Sequence, residues 1–159
     1  MKATTVTANN RRRAFEVELS DGRTLPLPYA RLERPPTAAN RVAEVYSDPE
    51  LGHEGFTYVL TDGTEESVPV DAVLDYNRDP GYVRDMLAYQ LTLEARRRME
   101  TTRLSRREII RRLGTSPSQL YRLLDPAHQG KTIDRLVELL AVLGCGVRLE
   151  VGPTRGDAC

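Results

Sequence analysis

Four side chains in the second half of the chain carry hydrogen-bonding groups of the kinds that can pair with the edges of DNA bases. They are Ser118, Gln119, Tyr121 and Arg122. A glutamine amide pairs bidentately with adenine, an arginine guanidinium pairs with guanine, and a serine hydroxyl bonds several base edges. The tyrosine stands beside these three. The combination predicts a surface that distinguishes one base pair from another.

Capping signals around these residues predict two short helices joined by a tight turn. Ser105 and Glu108 form a capping box at the start of the first helix, and Gly114 stands where that helix ends in a left-handed residue. Ser116 begins the second helix, with Pro117 in its first turn, where a missing N–H costs nothing. The apolar residues expected to face inward are Ile109, Ile110, Leu113, Leu120, Leu123 and Leu124. The base-reading side chains therefore point outward from the start of the second helix.

Groups suited to phosphate contacts flank this surface. They are Ser105, Arg106, Arg107, Arg111, Ser116 and Lys131. In helix-turn-helix proteins the second helix enters the major groove while the first crosses the backbone, which would bring the arginines of the first helix against phosphates. The free N–H groups and the dipole of a helix N-terminus also favour an anion, and Ser105 marks such a terminus. Lys131 precedes the next helix and is expected to contact the other side of the groove.

The charge distribution favours a polyanionic partner, although the formal net charge of the whole chain is zero. Residues 1–78 hold 9 Lys and Arg against 13 Asp and Glu, whereas residues 79–159 hold 14 against 10. Within the second half, residues 96–122 concentrate nine arginines against Glu100 and Glu108. A local positive field of this size favours a nucleic acid.

The helix pair resembles the XRE family of Cro-like helix-turn-helix proteins. The matching residues are Leu104, Ser105, Leu113, Gly114, Ser116, Ser118, Gln119, Arg122, Leu123 and Leu124. The resemblance covers residues 91–143, about a third of the chain, and implies sequence-specific binding of a homodimer to double-stranded DNA. Arg106 departs from the family pattern, where glutamine is usual, and Ile110 departs where a small alanine lets the helices pack closely. The second departure is expected to widen the angle between the helices.

The residues that follow resemble the antitoxin branch of this family. Thr132 is expected to cap an amphipathic helix that ends at Gly144, and the alternating residues 147–151 are expected to form a strand. In the antitoxin branch such a strand pairs between subunits. The branch also implies a toxin protein as a partner and autorepression of transcription. A loose tail is expected from Gly152 onward.

An internal repeat in the N-terminal half predicts a duplicated, β-rich unit. A constant offset of 41 pairs Phe15, Leu19, Asp21 and Gly22 with Phe56, Leu60, Asp62 and Gly63. Alternating apolar residues around each Asp-Gly pair predict a hairpin, whose return strand should end at Pro28 or Pro69 or lie at a sheet edge. A third strand is expected at residues 42–46. The spacing resembles bacterial domains of unknown function of family 2442, which implies a fold and no active site.

Residues 82–100 are predicted to form a helix that bridges the two halves, because a helix apolar on two sides packs against both. The first apolar face comprises Val83, Leu87, Leu91, Ala95 and Met99, and the second comprises Met86, Tyr89 and Leu93. The expected fold class is α+β. A small β-rich domain with an internal repeat spans residues 1–78, and an all-α helix-turn-helix domain with a C-terminal strand spans residues 79–151. Residues 152–159 form a tail.

Other chemistry is not expected from this sequence. Cys145 and Cys159 lack the paired spacing of a zinc site and predict reduced thiols in a cytoplasmic protein. His53 and His128 lack carboxylate or cysteine partners at ligand spacing, so no metal is expected. The sequence has no glycine-rich phosphate loop, nucleophile elbow, paired-carboxylate signature, signal peptide or bilayer-length apolar run. We therefore expect no enzymatic activity, no cofactor and no membrane partner.

The expected function is that of a sequence-specific transcriptional regulator that binds double-stranded DNA, with the N-terminal repeats as an interaction module. The alternative is a protein-interaction adaptor whose helix-turn-helix has lost DNA binding, which the departure at Ile110 would permit. RNA is a third alternative, ranked last because the sequence shows no aromatic surface for stacking bases.

Overall fold

The computed structural model describes residues 1–153 and divides the chain into two compact units. The first unit comprises Met1–Val83 and the second begins at Arg84. The boundary falls inside a long helix rather than in a loop. None of the helices in the described part of the chain is both long enough and apolar enough to cross a membrane.

The first unit contains two three-stranded antiparallel sheets with their strands in sequence order. The first sheet comprises β1 (Ala3–Asn9), β2 (Ala14–Leu19) and β3 (Thr24–Pro28), and the second comprises β4 (Val42–Ser47), β5 (Gly55–Leu60) and β6 (Glu65–Pro69). The β2–β3 and β5–β6 turns place Gly22 and Gly63 at φ of 85° and 83°, which glycine adopts without steric cost. The structure therefore confirms both Asp-Gly hairpins and the strand expected at residues 42–46.

Each sheet ends at a proline that leads into helical structure. Pro28 precedes a single 3-10 turn at Tyr29–Arg31, and Pro69 precedes α1 (Val70–Tyr76). Both return strands lie at sheet edges, where a residue without an N–H is tolerated. Strand β1 was not predicted from the sequence. A register shift near its start interrupts the alternation of buried and exposed residues, so the strand pattern is not regular in the sequence.

The two repeats share one hydrophobic core. Phe15 and its repeat equivalent Phe56 are fully buried, and their ring centroids lie 5.1 Å apart at an interplanar angle of 65°. Tyr29 and Tyr58 pack against Phe15 at 5.0 and 5.2 Å. Contact between equivalent residues is what an approximate two-fold relation produces. The repeats therefore fold as one unit, each covering the apolar face of the other.

A buried carboxylate fixes the start of the long helix. Asp79, which is 8% exposed, accepts a hydrogen bond from the Tyr82 N–H at 2.9 Å and another from the Arg23 guanidinium at 2.5 Å. The bond from Arg23 is the main reason that the pKa of Asp79 lies below its ordinary value. The turn after β2 is thereby tied to the first turn of the helix.

Helices build the described part of the second unit. They are α2 (Pro80–Thr101), α3 (Arg106–Leu113), α4 (Pro117–Leu124) and α5 (Ile133–Val142). The core between them includes Ala95 of α2, Ile109 of α3, Leu120 of α4 and Leu136 of α5. Thr132 is the N-cap residue of α5, as expected, although its hydroxyl makes no capping hydrogen bond in the described structure.

The expected fold class is wrong for the second half, because its C-terminal strand does not form. Val147, Leu149 and Val151 lie in irregular chain and are 44, 79 and 86% exposed. A strand without a neighbouring edge leaves its backbone groups unpaired, and both sheets of the described chain belong to the first unit. Within residues 1–153 the fold is α+β, with two small antiparallel sheets followed by five helices. The tail expected at residues 152–159 lies mostly outside the described residues.

The buried face of α2 also differs from the expected one. Ala95 is buried and Leu91 and Met99 pack against the same core, as expected, but the other buried residues are Ala88 and Thr92. Leu87 is 37% exposed, and the residues of the second expected face, Met86, Tyr89 and Leu93, are exposed as well. Each i+4 step advances about 40° around a helix, so a series of four such steps drifts by about 160°. The expected stripe therefore leaves the buried side of α2 over its own length.

We expect Asp79→Asn to lower the free energy of unfolding at pH 7 by about 1 kcal/mol, a modest value because solvent screens the half-exposed Arg23 partner. The amide oxygen of the variant would still accept the hydrogen bond from the Tyr82 N–H, but the negative charge that pairs with Arg23 would be lost. A carboxylate with a depressed folded-state pKa stabilises the protein above its unfolded pKa of about 4, and this contribution is lost as the pH falls further. Urea titrations of the two proteins should therefore converge at acid pH. A constant difference at every pH would contradict the ion pair.

Candidate nucleic-acid interface

Helix α3 begins at the capping serine Ser105, but Glu108, the second residue of the predicted capping box, makes other contacts. The Ser105 hydroxyl accepts a hydrogen bond from the Glu108 N–H at 3.2 Å, which confirms the predicted helix start. Instead of closing the capping box, the Glu108 carboxylate accepts bonds from Arg111 and Arg112 at 2.5 and 2.8 Å. These guanidiniums lower the pKa of Glu108 to about 2. Glu108 is therefore ionised at neutral pH and neutralises part of the positive charge of α3.

The turn between α3 and α4 follows the sequence signals. Gly114 adopts φ 64° and ψ 42°, the left-handed conformation that ends α3. The Ser116 hydroxyl then accepts a hydrogen bond from the Gln119 N–H at 3.2 Å, and Pro117 is the first residue of α4. The N-terminus of α4 is thus fixed by its own side chains.

Helix α4 exposes the side chains predicted to read bases. Leu120 and Leu123 are buried, which turns the opposite face of the helix toward solvent. Ser118 and Arg122 lie one turn apart on that outward face. Tyr121 is 66% exposed and so is not a core residue. Gln119 is exposed as well, and one rigid helix therefore carries all four side chains on its surface.

The amide of Gln119 has a competing partner within the protein. Its Oε1 atom accepts a hydrogen bond from the Thr115 hydroxyl at 2.7 Å. Bidentate pairing with adenine uses both the oxygen and the nitrogen of the amide. The bond from Thr115 uses one of the two lone pairs of Oε1 and orients the amide, so it restricts the direction in which Gln119 can pair.

The arginines predicted to contact phosphates differ in availability. In the described structure the ion pairs of α3 involve Arg111 and Arg112, which leaves Arg106 and Arg107 without a carboxylate partner. The Arg106 guanidinium lies over the ring of Tyr121, 5.4 Å from its centroid. Arg111 is exposed and paired with Glu108, and a phosphate can displace a carboxylate from such a surface pair because the pair is weak.

The ammonium of Lys131 is already engaged. It donates to the backbone carbonyl of Asp125, and partial burial lowers its pKa. Lys131, Arg122 and Arg135 line a cleft of about 300 Å³ between α4 and the start of α5. Sequence analysis missed Arg135, which also pairs with Glu138 at 2.5 Å. Its position four residues after Lys131, on a predicted helix, was the signal that could have identified it.

One serine and one histidine are within hydrogen-bonding distance, but they do not form a nucleophile and a base. The Ser47 hydroxyl donates to the Ala3 carbonyl at 2.6 Å and lies 2.8 Å from Nδ1 of His53. Because the one hydroxyl proton points to Ala3, His53 must act as the donor, and the pair ties a loop to β1. Among the described residues, no three His, Cys, Asp or Glu side chains are grouped to hold a metal. Cys159 lies outside the described residues.

The structure brings most of the predicted residues onto the exposed side of α3 and α4 and ties Lys131 to a backbone carbonyl. Comparisons of the chain with protein-family models, curated proteins and solved structures found no match. Membership of the XRE family and likeness to family 2442 therefore stay predictions.

We expect Ser116→Ala to lower the free energy of unfolding by about 1 kcal/mol, because the hydroxyl satisfies the Gln119 N–H at the start of α4. Ser116→Asn is the matched control, since its side-chain oxygen can also accept a hydrogen bond from the Gln119 N–H. Its effect should stay within about 0.5 kcal/mol. Urea unfolding followed by circular dichroism measures both, and equal losses would contradict the assignment of Ser116 as the cap.

Proposed function

We propose that this protein is a sequence-specific transcriptional regulator that binds double-stranded DNA, with α4 in the major groove and α3 across the backbone. The observation that supports this most directly is the outward face of α4, where Ser118 and Arg122 are exposed and the ring of Tyr121 lies under the Arg106 guanidinium of α3. Base edges require donors and acceptors, and phosphates require cations. A capped helix flanked by guanidiniums without carboxylate partners supplies both.

Phosphate contacts would provide the sequence-independent part of the affinity. Arg106 and Arg107 are the first candidates, and the N–H groups at the start of α3, beside Ser105, would add a further contact. Each phosphate that the protein neutralises contributes about 0.9 to the slope of log K against log salt concentration. The arginine excess of residues 96–122 would also steer the protein toward DNA.

Among the base-reading residues, Arg122 would contribute most to discrimination. Its guanidinium is exposed and can pair with guanine, whereas the amide oxygen of Gln119 is already shared with Thr115. Ser118 can add a single bond to several base edges. A good bidentate pair discriminates between bases by about 1–3 kcal/mol.

We further propose that two copies of this protein bind a two-fold site in the cytoplasm, with half-sites about one helical turn apart. The resemblance to the antitoxin branch adds autorepression and a toxin partner to this proposal. The alternative is the protein-interaction adaptor, which would be indifferent to DNA. Binding measurements separate the two functions.

We expect Arg122→Ala to reduce the preference for selected over scrambled duplexes by about 5- to 150-fold, the equivalent of one bidentate pair. Arg107→Ala should weaken binding to both duplexes equally and lower the salt slope by about one. The selected duplexes would come from a randomised pool enriched with the wild-type protein. Fluorescence anisotropy at about 50 to 200 mM salt measures both effects.

Arg148→Ala is the control for these variants, because it removes the same charge from the irregular segment after α5. It should leave both preference and slope unchanged. If the wild-type protein does not bind either duplex, or if it prefers none and all variants behave alike, DNA reading by α4 is wrong and the adaptor function is favoured.

We expect Glu108→Gln to strengthen binding to all duplexes several-fold at low salt and to steepen the salt slope by about one, because Arg111 and Arg112 lose the carboxylate that neutralises them. Glu94→Gln is the matched control, since Glu94 pairs with Arg97 and Arg98 at the same helical spacings on α2. Equal gains from the two variants would indicate a general charge effect and would contradict a backbone contact by α3.

A further inference from the structure

Three consecutive arginines occupy the exposed connection between β1 and β2. Arg11, Arg12 and Arg13, here called the arginine tip, are all exposed. Among the described residues Arg12 alone of the three has an ion-pair partner, Glu16 at 3.5 Å, and its side chain is still 75% exposed. The arginine tip is therefore a concentrated positive charge with little neutralisation.

The hairpin holds the arginine tip in one conformation. The Arg12 N–H donates to the Asn9 side chain at 3.2 Å. Tyr29 donates its N–H to the Arg13 carbonyl at 2.8 Å and its hydroxyl to the Asn10 side chain at 3.0 Å. Arg13 adopts φ 51°, a conformation that glycine or asparagine adopts at less cost. Arg13 thus occupies a position where the backbone alone would favour another residue.

The second repeat provides an internal comparison. Its corresponding connection, residues 48–54 between β4 and β5, contains Asp48, Glu50 and Glu54 and no arginine. The two connections join equivalent strands of the same fold with opposite charge. The hairpin therefore does not require arginine, and a cluster of like charges that repel one another is explained better by an anionic ligand than by stability.

Arg41 extends this positive surface. It lines a cleft of about 290 Å³ together with Arg13 and Tyr29. Residues 9–15 and 36–43, which include most of the lining, contain no Asp or Glu. The acidic balance of the N-terminal half therefore lies elsewhere in the first unit.

The exposed groups around the arginine tip indicate the chemical class of its ligand. None of the exposed large apolar side chains found in the described chain lies in residues 9–14 or 34–41. Protein interfaces have an apolar centre, whereas surfaces that bind a nucleic-acid backbone are polar and positively charged. Guanidiniums bind phosphates bidentately, and several of them in a fixed turn match a row of phosphates.

We propose that the arginine tip and Arg41 bind the phosphate backbone of double-stranded DNA, which gives the first unit a sequence-independent DNA contact of its own. This inference rests on the proposed function in sharing its ligand, but it does not require α4 to read bases. The contact would raise the affinity for every sequence alike.

The test replaces all three arginines of the tip in the full-length protein, as R11Q/R12Q/R13Q. We expect the salt slope to fall by about two to three and binding to selected and scrambled duplexes to weaken equally, since each phosphate contributes about 0.9. R31Q/R34Q/R78Q removes the same charge from other exposed positions of the first unit and should change the slope by less than about one. Arg11→Gln, which leaves the hydrogen bonds of the turn intact, should lower it by about one.

The outcomes separate this proposal from the proposed function. An unchanged slope in both Arg11→Gln and the folded triple variant, or an equal loss in the control, would overturn the role of the arginine tip, while the effect of Arg122→Ala would still stand. A lower salt slope in the tip variants would support DNA binding by the arginine tip. If Arg122→Ala retained full sequence preference in the same experiments, base reading by α4 would be overturned. Thermal unfolding verifies that each variant is folded.

Discussion

Burial of a few apolar side chains against α5 is the interaction on which the rest of the second unit depends. Helices α3 and α4 have eight residues each, well below the length at which a helix is stable alone in water. They persist because Ile109 and Leu120 pack in one core with Leu136 and Leu139. The same packing sets the rotation of each helix about its axis. The packing of the buried face therefore determines which side chains of α3 and α4 are exposed to a ligand.

The bounds of the helix pair could be predicted because their signals are local. Ser105, Gly114 and Ser116 set helix ends through bonds and backbone angles that span only a few residues. The partners of the charged groups could not be predicted in the same way. The Glu108 carboxylate could close the capping box or pair with two nearby arginines, and it pairs with the arginines. The Lys131 ammonium could bind a phosphate or a nearby carbonyl, and it binds the carbonyl. The sequence does not rank such alternatives. The surface positions were therefore predictable, but the charge available at each of them was not.

Features that depend on distant contacts were predicted less well. The alternation of residues 147–151 is typical of a strand, but a strand also requires an edge, which the sequence does not place. The buried side of α2 is likewise decided by what packs on it rather than by its own apolar residues. The repeat offset indicated duplication correctly, yet only the structure shows that Phe15 packs on its own equivalent, Phe56. A substitution at either ring would therefore be felt in both repeats.

The continuity of α2 has a consequence for how the protein would be degraded. The helix spans Pro80–Thr101 without a break, so the boundary between the two units carries a full set of helical hydrogen bonds. Proteases favour exposed irregular chain, and in the described structure such chain includes residues 34–41, 125–132 and 143–153, each of which lies within one unit. A first cut would therefore damage a unit rather than release one. The two compact units are joined by helical rather than irregular chain, so we expect the first proteolytic fragments not to correspond to the two units.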